Sequence, residues 1–560
     1  MQRFLFATAI ILRIACGAAA AGPASGRHAM VVTEQHYASQ IGINILRSGG
    51  NAVDAAVAVG YALAVVDPCC GNIGGGGFML IRTREAKETF LDFRERAPLR
   101  ATPDMFLDAH GNVVAGRSTR TYLSVAVPGT VKGLEYARVR YGTRSRAELM
   151  DPAIALARSG YLLTQADVDV YSSGLPDFKR ESNVSSIFTN NGWPLRAGQR
   201  LKQPQLARSL KTIERGGVRA FYEGPIAQRI IAASNSRGGI LTRRDFESYQ
   251  VREYPPVHCS YRGYEIASAP PPSSGGTSMC EIVNVVRAFP LGTYGWNSVQ
   301  SVHDDVEAER HAYVDRNTLL GDPKFVVNPI DRLLSVEHAA AIRAAILPDR
   351  STPSKDLPAP VLSREGSDTT HYSIVDRFGN AVAVTYTIND AFGSGFIAGD
   401  TGFFLNNEMD DFTSKPGVPN LYGLVQGSAN AIAPGKTPLS SMAPTIVTKN
   451  GALSIVAGSP GGSRIITITL GVLQNIIDYG MDVQQAVNAP RLHHQWLPDT
   501  VYLEPGALEP SAQQRLQAMG YTFTTQGVWG SAQAIQRDDR SGILFGGTDR
   551  RRPSGAALGY

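Results

Sequence analysis

Residues 369–387 read TTHYSIVDRFGNAVAVTYT, and this stretch decides the fold. Residues 369–375 and 381–387 alternate in the manner of β-strands, and residues 376–380 between them are typical of a turn. With the turn centred on Phe378, Thr369 and Thr387 face each other across a β-hairpin. Asn389, two residues further on, projects from the same face. The sequence therefore predicts a hairpin that gathers polar side chains at its open end.

The hairpin follows a segment of different character. Residues 353–368 are polar, contain prolines and lack periodicity, which indicates an exposed connector. A threonine at such a junction is usually only a strand former. Alternatively, Thr369 Oγ can attack the carbonyl of Asp368, so that an acyl shift and hydrolysis split the chain. The freed α-amine, with a reference pKa of about 8, would then serve as the base for its own hydroxyl, and Thr387 would hold the hydroxyl or amine in place.

A second motif, AGSPGGS at residues 457–463, follows the strand-like residues 453–456 and precedes a helical run. A tight turn between a strand and a helix N-terminus directs backbone N–H groups at one point, which suits a tetrahedral oxyanion. A glycine turn capped by Ser463 is the ordinary structural alternative. The motif alone does not separate the two.

The same turn resembles the nucleophile turn of a serine hydrolase. Ser459 would be the nucleophile, with partners Asp478 and His493 or His494 in the right chain order. However, the residue after the nucleophile must donate its backbone N–H to the oxyanion, and Pro460 has none. Adjacent histidines also suit a single metal poorly if helical, because neighbouring side chains point to different sides. Both alternatives are therefore disfavoured.

Length and composition limit the remaining classes. A chain of 560 residues predicts several domains or one large layered domain. The hydrophobic content of 43% and charged content of 18% are ordinary for a soluble globular protein. The formal charge of +5, from 54 basic and 49 acidic residues, is too small to indicate nucleic-acid binding. After the N-terminus, no stretch is long and apolar enough to span a bilayer.

The N-terminus predicts export. Residues 1–21 combine a basic start, an apolar run interrupted by Arg13 and small residues, as in a secretory signal peptide cleaved near Ala20 or Ala21. The alternative is an irregular cytosolic N-terminus. A periplasmic or extracellular location would permit a Cys259–Cys280 disulfide, although sequence alone does not fix the pairing. Adjacent Cys69 and Cys70 are expected to be small buried residues.

Three further segments complete the pattern. Residues 52–66 predict a buried helix that ends before Pro68. The glycine-rich residues 71–78 lack the Gly-Lys-Ser/Thr of a phosphate loop, and we expect their backbone to pack closely near a shared site. Residues 100–350 are helix-rich, with helical spacing at 206–213, 226–233 and 339–346, and show no recognisable catalytic motif.

Taken together, these motifs resemble the γ-glutamyltransferases, members of the N-terminal nucleophile hydrolases. The resemblance runs from about residue 28 to the end of the chain. It rests on several motifs in the same order: GGNAVDAA at 49–56, GNIGGGGF at 71–78, LDFRE at 91–95, TTHYS at 369–373, LNNEMDDF at 405–412, PLSSM at 438–442 and GSPGGSR at 458–464.

The resemblance implies an α+β fold, a four-layer αββα sandwich built from both halves of a self-cleaved precursor. Residues 22–368 would form the large subunit and residues 369–560 the small subunit, after autocatalytic cleavage at Asp368–Thr369. The implied activity is removal of the γ-glutamyl group from glutathione and similar compounds through a γ-glutamyl-threonine ester, with transfer to water, amino acids or short peptides. No metal or organic cofactor is implied.

The resemblance also assigns roles to single residues. A γ-glutamyl group carries an α-carboxylate and an α-ammonium, and a guanidinium offers paired donors to a carboxylate. The matching positions are Thr369 as nucleophile with Thr387 as its support, Gly461 and Gly462 in the oxyanion hole, Arg94, Ser440 and Ser441 for the carboxylate, and Asn389, Glu408 and Asp411 for the ammonium. Taken singly, ordinary alternatives are a surface ion pair at Arg94, a solvated turn at 408–411 and a helix cap at 440–441.

Residues 416–427, including Tyr422, match a loop that covers the site in many members and argues for a narrow γ-glutamyl pocket. The chain departs from some relatives at Asp390-Ala391, where two threonines are usual. A related acylase acting on glutaryl or β-lactam side chains is the second candidate, which Glu408 and Asp411 disfavour because an acylase needs no ammonium site. An unprocessed binding or scaffold protein is the third.

Overall fold

The computed structural model describes residues 22–357 and 369–560. Its strands, numbered in chain order, are β1 Ala24–Gly26, β2 Met30–Thr33, β3 Gly76–Arg82, β4 Glu88–Asp92, β5 Tyr161–Leu162, β6 Arg200–Leu201, β7 Arg252–Tyr254, β8 Val257–Tyr261, β9 Tyr264–Ser268, β10 Thr370–Val375, β11 Ala381–Thr387, β12 Thr445–Lys449, β13 Ala452–Gly458, β14 Leu492–His493, β15 Val501–Leu503, β16 Phe523–Thr525, β17 Gln533–Arg537, β18 Leu544–Thr548 and β19 Ala556–Gly559.

The α-helices of the same described ranges are α1 His36–Arg47, α2 Ala52–Val66, α3 Thr130–Tyr141, α4 Arg146–Ser159, α5 Gln165–Ser173, α6 Leu175–Phe178, α7 Ser182–Phe188, α8 Pro204–Tyr222, α9 Pro225–Ser236, α10 Arg243–Ser248, α11 Gly275–Val286, α12 Leu291–Tyr294, α13 Val299–Leu319, α14 Ile330–Leu333, α15 Val336–Ala345, α16 Ile465–Ile477, α17 Val483–Asn488 and α18 Pro510–Ala518.

Two seven-stranded antiparallel sheets form the centre of the fold. The first sheet has the order β19-β2-β10-β11-β3-β4-β7 and contains the predicted hairpin, while the second has the order β1-β18-β17-β13-β12-β9-β8. Apolar side chains of the two sheets meet in a shared core, with Phe78 and Leu80 on one side and Ile446 and Val456 on the other. The sheets are therefore stacked face to face.

Helices cover the outer faces of both sheets. Helix α2 and other helices from the first part of the chain pack on the first sheet. Helices α11, α13 and α16 pack on the second. The result is the four-layer αββα sandwich that the family resemblance implied. Both sheets combine strands from before residue 358 with strands from after residue 368, so neither part of the chain completes a sheet alone.

The hairpin has the predicted register. Thr370 pairs with Tyr386 and Val375 with Ala381, so extending the ladder by one residue places Thr369 opposite Thr387. The predicted buried helix is α2, which spans the expected residues. The side chain of Asn51 caps α2 by accepting the N–H of Asp54, and the Asp54 carboxylate accepts the N–H of Asn51 in return.

The glycine-rich segment at 71–78 also packs as predicted. A Cβ atom at Gly75 would lie 1.8 Å from the carbonyl oxygen of Thr387, and one at Gly74 would lie 2.0 Å from the carbonyl oxygen of Phe404. Side chains at these positions are therefore excluded by contact with the backbone of the later part of the chain.

Other expectations need correction. The helix-rich region also supplies β7, β8 and β9, which extend both sheets. Cys69 and Cys70 are buried as expected but are joined in a disulfide. The Cys259–Cys280 disulfide, which the sequence allowed without fixing the pairing, is present. Within the described ranges, no helix is long and apolar enough to cross a bilayer. The predicted signal peptide, the rest of the connector at 358–368 and Asp368 lie outside the described residues.

Candidate active site

Thr369 lies just before β10 and is almost fully buried, with 3% of its surface exposed. Its hydroxyl donates to Thr387 Oγ1 at 3.4 Å, and Thr387 Oγ1 also accepts the N–H of Asn389 at 2.8 Å. The hairpin register and the turn after β11 thus hold the nucleophile candidate and its predicted support together. In the intact chain the nitrogen of Thr369 belongs to a peptide bond, so it has no amine to act as a base.

Thr369 opens into a small cavity of about 20 Å³. Most residues predicted from the sequence line this cavity, although they come from segments far apart in the chain. They are Arg94, Thr369, Thr387, Asn389, Glu408, Asp411, Tyr422, Ser440, Ser441 and Gly462.

Arg94 forms a buried wall of the cavity with acidic residues. Its Nη1 lies 2.8 Å from Glu408 Oε1, its Nη2 donates to Asp411 Oδ2, and its Nε donates to the carbonyl oxygen of Pro438. Only 1% of Arg94 is exposed, so the ordinary alternative of a surface ion pair is wrong. Glu408 and Asp411 are buried in a short 3-10 helix, so they do not form a solvated turn.

This wall contains more carboxylates than cations. Glu95 is also buried beside Arg94 and Glu408, so three carboxylates surround the Arg94 guanidinium. Burial raises the pKa of Glu95 to about 7 and that of Glu408 well above its usual range, with Arg94 opposing both shifts. Burial likewise raises the pKa of Asp411, against the opposing charges of Arg94 and Arg316. The wall therefore retains protons or needs another cation.

Ser440 and Ser441 also line the cavity. Ser440 Oγ accepts the N–H of Met442, and Ser441 Oγ accepts a hydrogen bond from Arg316 Nη2 at 2.8 Å. In these contacts neither serine caps a helix, so they do not support the ordinary alternative of a helix cap at 440–441. Arg316, on α13, was missed by the sequence analysis because its region carries no recognisable motif.

Arg316 differs from Arg94 in its partners. Its Nη1 donates to the neutral Asn317 Oδ1, and its Nε is buried with no hydrogen-bond partner among the described residues. Burial lowers the pKa of Arg316 to about 10, although Tyr313 and Asp411 oppose the shift. Its positive charge is thus poorly compensated within the cavity.

The segment 416–427, for which the resemblance implies a lid, contributes Tyr422 and Leu424 to the lining of the cavity. The hydroxyl of Tyr422 lies 2.8 Å from the backbone oxygen and 2.5 Å from Oδ1 of Asn389, both acceptors. Beside it, the N–H of Leu421 donates to Asp410 Oδ2 at 2.8 Å. The segment is therefore attached to two elements that border the site.

The glycine turn separates two cavities. Gly461 and Gly462 have φ angles of 143° and 56°, which favour glycine at both positions. Gly462 lines the cavity that contains Thr369, whereas Gly461 lines an adjacent cavity of about 190 Å³ together with Trp529 and Arg552. The hydroxyl of Tyr313, again on α13, donates to the carbonyl oxygen of Ser463 at 2.5 Å and supports the turn.

The serine-hydrolase alternative finds no matching geometry. Ser459 Oγ donates to the carbonyl oxygen of Pro460 and accepts the N–H of Ser531. Asp478 accepts hydrogen bonds from Tyr261 and Arg262, and His493 contacts Thr467 and Gln495. The three residues thus have separate partners.

Asp390, which stands where some relatives have a threonine, has a structural role. Its carboxylate accepts a hydrogen bond from Arg120 Nη2 at 2.7 Å, and its N–H donates to Asn407 Oδ1. Asp390 therefore ties the turn after β11 to the segment around Arg120, at the edge of the site.

Two stacked antiparallel sheets between helical layers, with a threonine at the start of a central strand, define the N-terminal nucleophile hydrolase fold. The model of the family described as gamma-glutamyltranspeptidase matches residues 38–559. The chain belongs to this family.

Known relatives span nearly the whole chain. A glutathione hydrolase proenzyme of Pseudomonas sp. (strain A14) is 52% identical over 97% of this chain and 96% of its own length. That of Escherichia coli (strain K12) is 45% identical over 96% and 93%, respectively. Among solved structures, a cephalosporin acylase from Bacillus halodurans superimposes with a TM-score of 0.84 at 27% identity, over 99% of each chain.

Proposed function

We propose that this chain is a γ-glutamyltransferase and glutathione hydrolase that first cleaves itself at Asp368–Thr369. Thr369 Oγ attacks the Asp368 carbonyl, the C–N bond breaks, and the nitrogen takes the hydroxyl proton. Water then hydrolyses the resulting ester. The products are a large subunit, 22–368, and a small subunit, 369–560, which stay associated because both sheets contain strands of each.

In the processed enzyme, the free amine of Thr369 takes the hydroxyl proton while Oγ attacks the γ-carbonyl of the substrate. The backbone N–H groups of the Gly461-Gly462 turn, of which Gly462 lines the cavity, stabilise the oxyanion, and Thr387 orients the hydroxyl. The amine proton passes to the leaving nitrogen, so that cysteinylglycine departs from glutathione. Water, an amino acid or a short peptide then attacks the γ-glutamyl ester and regenerates Thr369.

The observation that carries this proposal is the unequal charge around the two buried arginines of the cavity. Three buried carboxylates, those of Glu95, Glu408 and Asp411, surround the Arg94 guanidinium, while Arg316 donates hydrogen bonds to the neutral side chains of Ser441 and Asn317. An α-ammonium beside Asn389, Glu408 and Asp411 would supply the missing positive charge. An α-carboxylate beside Arg94, Ser440 and Ser441 would supply the missing negative charge near Arg316. A γ-glutamyl group carries both charges on one carbon.

An acylase for glutaryl or β-lactam side chains remains the second candidate, because the cephalosporin acylase shares the fold. A glutaryl group has no ammonium and would leave the acidic wall uncompensated. The lid residue Tyr422 also narrows the cavity, which disfavours a bulky acyl group. Export through the predicted signal peptide, to the periplasm or the exterior, completes the proposal.

A denaturing gel and one assay test the proposal. The wild type is expected to give two fragments whose masses place the break at Asp368–Thr369. It should also release the chromophore of a γ-glutamyl anilide faster when glycylglycine is present.

Thr369→Ala should give one uncleaved band and no turnover, while Thr369→Ser, which keeps a hydroxyl, should retain slow cleavage. Cleavage of folded Thr369→Ala at the same bond would refute the intramolecular step. Activity on a glutaryl amide alone would establish the acylase.

A further inference from the structure

A cluster of one histidine and two carboxylates lies outside the cavity, between three helices of the outer layer. Glu281 is on α11, Asp315 on α13 and His338 on α15. His338 Nε2 lies 3.1 Å from Glu281 Oε1 and 3.0 Å from Asp315 Oδ2. All three candidate ligand atoms lie within 4.8 Å of one another. None of these residues has a place in the proposed reaction.

We propose that Glu281, Asp315 and His338 form a binding site for a divalent transition-metal ion such as Zn²⁺. One imidazole nitrogen and two carboxylate oxygens form a donor set that such ions accept. For an ion about 2.0–2.1 Å from each ligand atom, the nitrogen–metal–oxygen angle would be roughly 95° for each of the two carboxylates. This angle lies near the values of tetrahedral and octahedral coordination.

The hydrogen bonding of the cluster supports a metal over a simple ion pair. A ring nitrogen carries at most one hydrogen, so Nε2 of His338 cannot donate a full hydrogen bond to both carboxylates. A metal ion between the three atoms would interact with all of them. It would also balance two carboxylates that lie close together in a partly buried site.

A second histidine and partial solvent exposure border the cluster. His311 lies one helical turn before Asp315 on α13, and its Nε2 is buried with no hydrogen-bond partner within the described ranges. The side chains of Asp315 and His338 are 19% and 17% exposed, which leaves a route for the ion and for water ligands. The backbone at His338 is held by its N–H bond to Ser335 Oγ, the cap of α15.

The other group with metal-ligand spacing is not a comparable site. Asp67, Cys69 and Cys70 also converge among the described residues, but the two sulfurs are bonded to each other. They cannot act as thiolate ligands while the disulfide is present. The helical cluster has no such restriction.

Isothermal titration of the full, untagged, chelator-treated protein with Zn²⁺ tests the site. The wild type is expected to bind one equivalent. His338→Ala should weaken binding about a hundredfold, and Glu281→Gln, which keeps the shape but removes a charge, about tenfold. His258→Ala is the matched control, because His258 is exposed and pairs with one carboxylate, Glu88. It should bind Zn²⁺ as the wild type does.

A Co²⁺ spectrum gives a second readout. The wild type should develop visible absorption bands on addition of Co²⁺, and His338→Ala should not. Circular dichroism melting establishes that each variant is folded. The proposal is refuted if the wild type binds no stoichiometric Zn²⁺, if folded His338→Ala binds as tightly as the wild type, or if His258→Ala weakens binding equally.

Discussion

Two buried arginines reach the same cavity from different regions of the molecule, and they differ in what balances their charge. Arg94 follows β4 and pairs with Glu408 and Asp411. Those carboxylates raise the pKa of Arg94 against the opposing effect of burial. Arg316 lies on α13, pairs with neutral Ser441 and Asn317, and has its pKa lowered by burial.

The comparison shows that residue type alone does not define a binding role. The guanidinium of Arg94 already serves an excess of carboxylates, whereas that of Arg316 has charge to offer a substrate. The pocket is thus shared by three elements: Arg94 after β4, the acidic 3-10 helix that pairs with it, and α13, from which Arg316 donates to Ser441. Substitutions at the two arginines should therefore lower stability and activity to different extents.

Arg94→Met is expected to have the largest effect. It leaves three buried carboxylates without their cation, which should lower the free energy of unfolding by about 3–5 kcal/mol and abolish measurable turnover. Thermal melting and the γ-glutamyl anilide assay measure the two effects. Cleavage at Asp368–Thr369 should persist in the molecules that fold. A melting temperature equal to that of the wild type would remove the distinction between the arginines.

Arg316→Met should cost less stability, because its partners are neutral and can turn to other groups. We expect kcat/KM for the γ-glutamyl anilide to fall about 10- to 100-fold, mainly through KM, since a charge-assisted hydrogen bond contributes about 1.5–3 kcal/mol. Steady-state kinetics beside Arg94→Met make the comparison. An unchanged KM would show that Arg316 supports only the fold.

The excess acidity of the Arg94 wall predicts a pH dependence of stability. Glu95 has its pKa raised from 4.5 to about 7, so the native state holds a proton there that the unfolded chain releases. Its contribution to stability is therefore present below about pH 4.5 and is lost as the pH rises to about 7. Glu95→Gln should melt progressively higher relative to the wild type across this window. Parallel melting curves from pH 4.5 to 8 would contradict the assignment.

Tyr422→Phe is expected to have the smallest effect. It removes the hydroxyl that lies against the two oxygens of Asn389 but keeps the ring that covers the cavity. Loss of about 1 kcal/mol should raise KM about fivefold with little change in melting temperature. The same assay measures it. A drop in kcat without a change in KM would assign Tyr422 to the reaction itself.

Much of the site was predictable from local sequence. The hairpin register followed from two alternating segments and one turn, because strand periodicity and turn chemistry are local properties. These fixed the pairing of Thr369 with Thr387. The glycine turn was predictable for the same reason. The order of motifs along the chain identified the family, and the comparisons confirmed it.

The sequence by itself determined the nucleophile candidate, the hairpin and the residue types around a zwitterionic group. Only the tertiary structure decided that α13 brings Arg316 and Tyr313 behind the site, that Cys69 and Cys70 are bonded, and that β7, β8 and β9 complete the sheets. Ionic partners are set by packing of segments hundreds of residues apart, and a residue's charge state depends on its burial and neighbours there. The local periodicity of the sequence contains no information about ionic partners or about charge states.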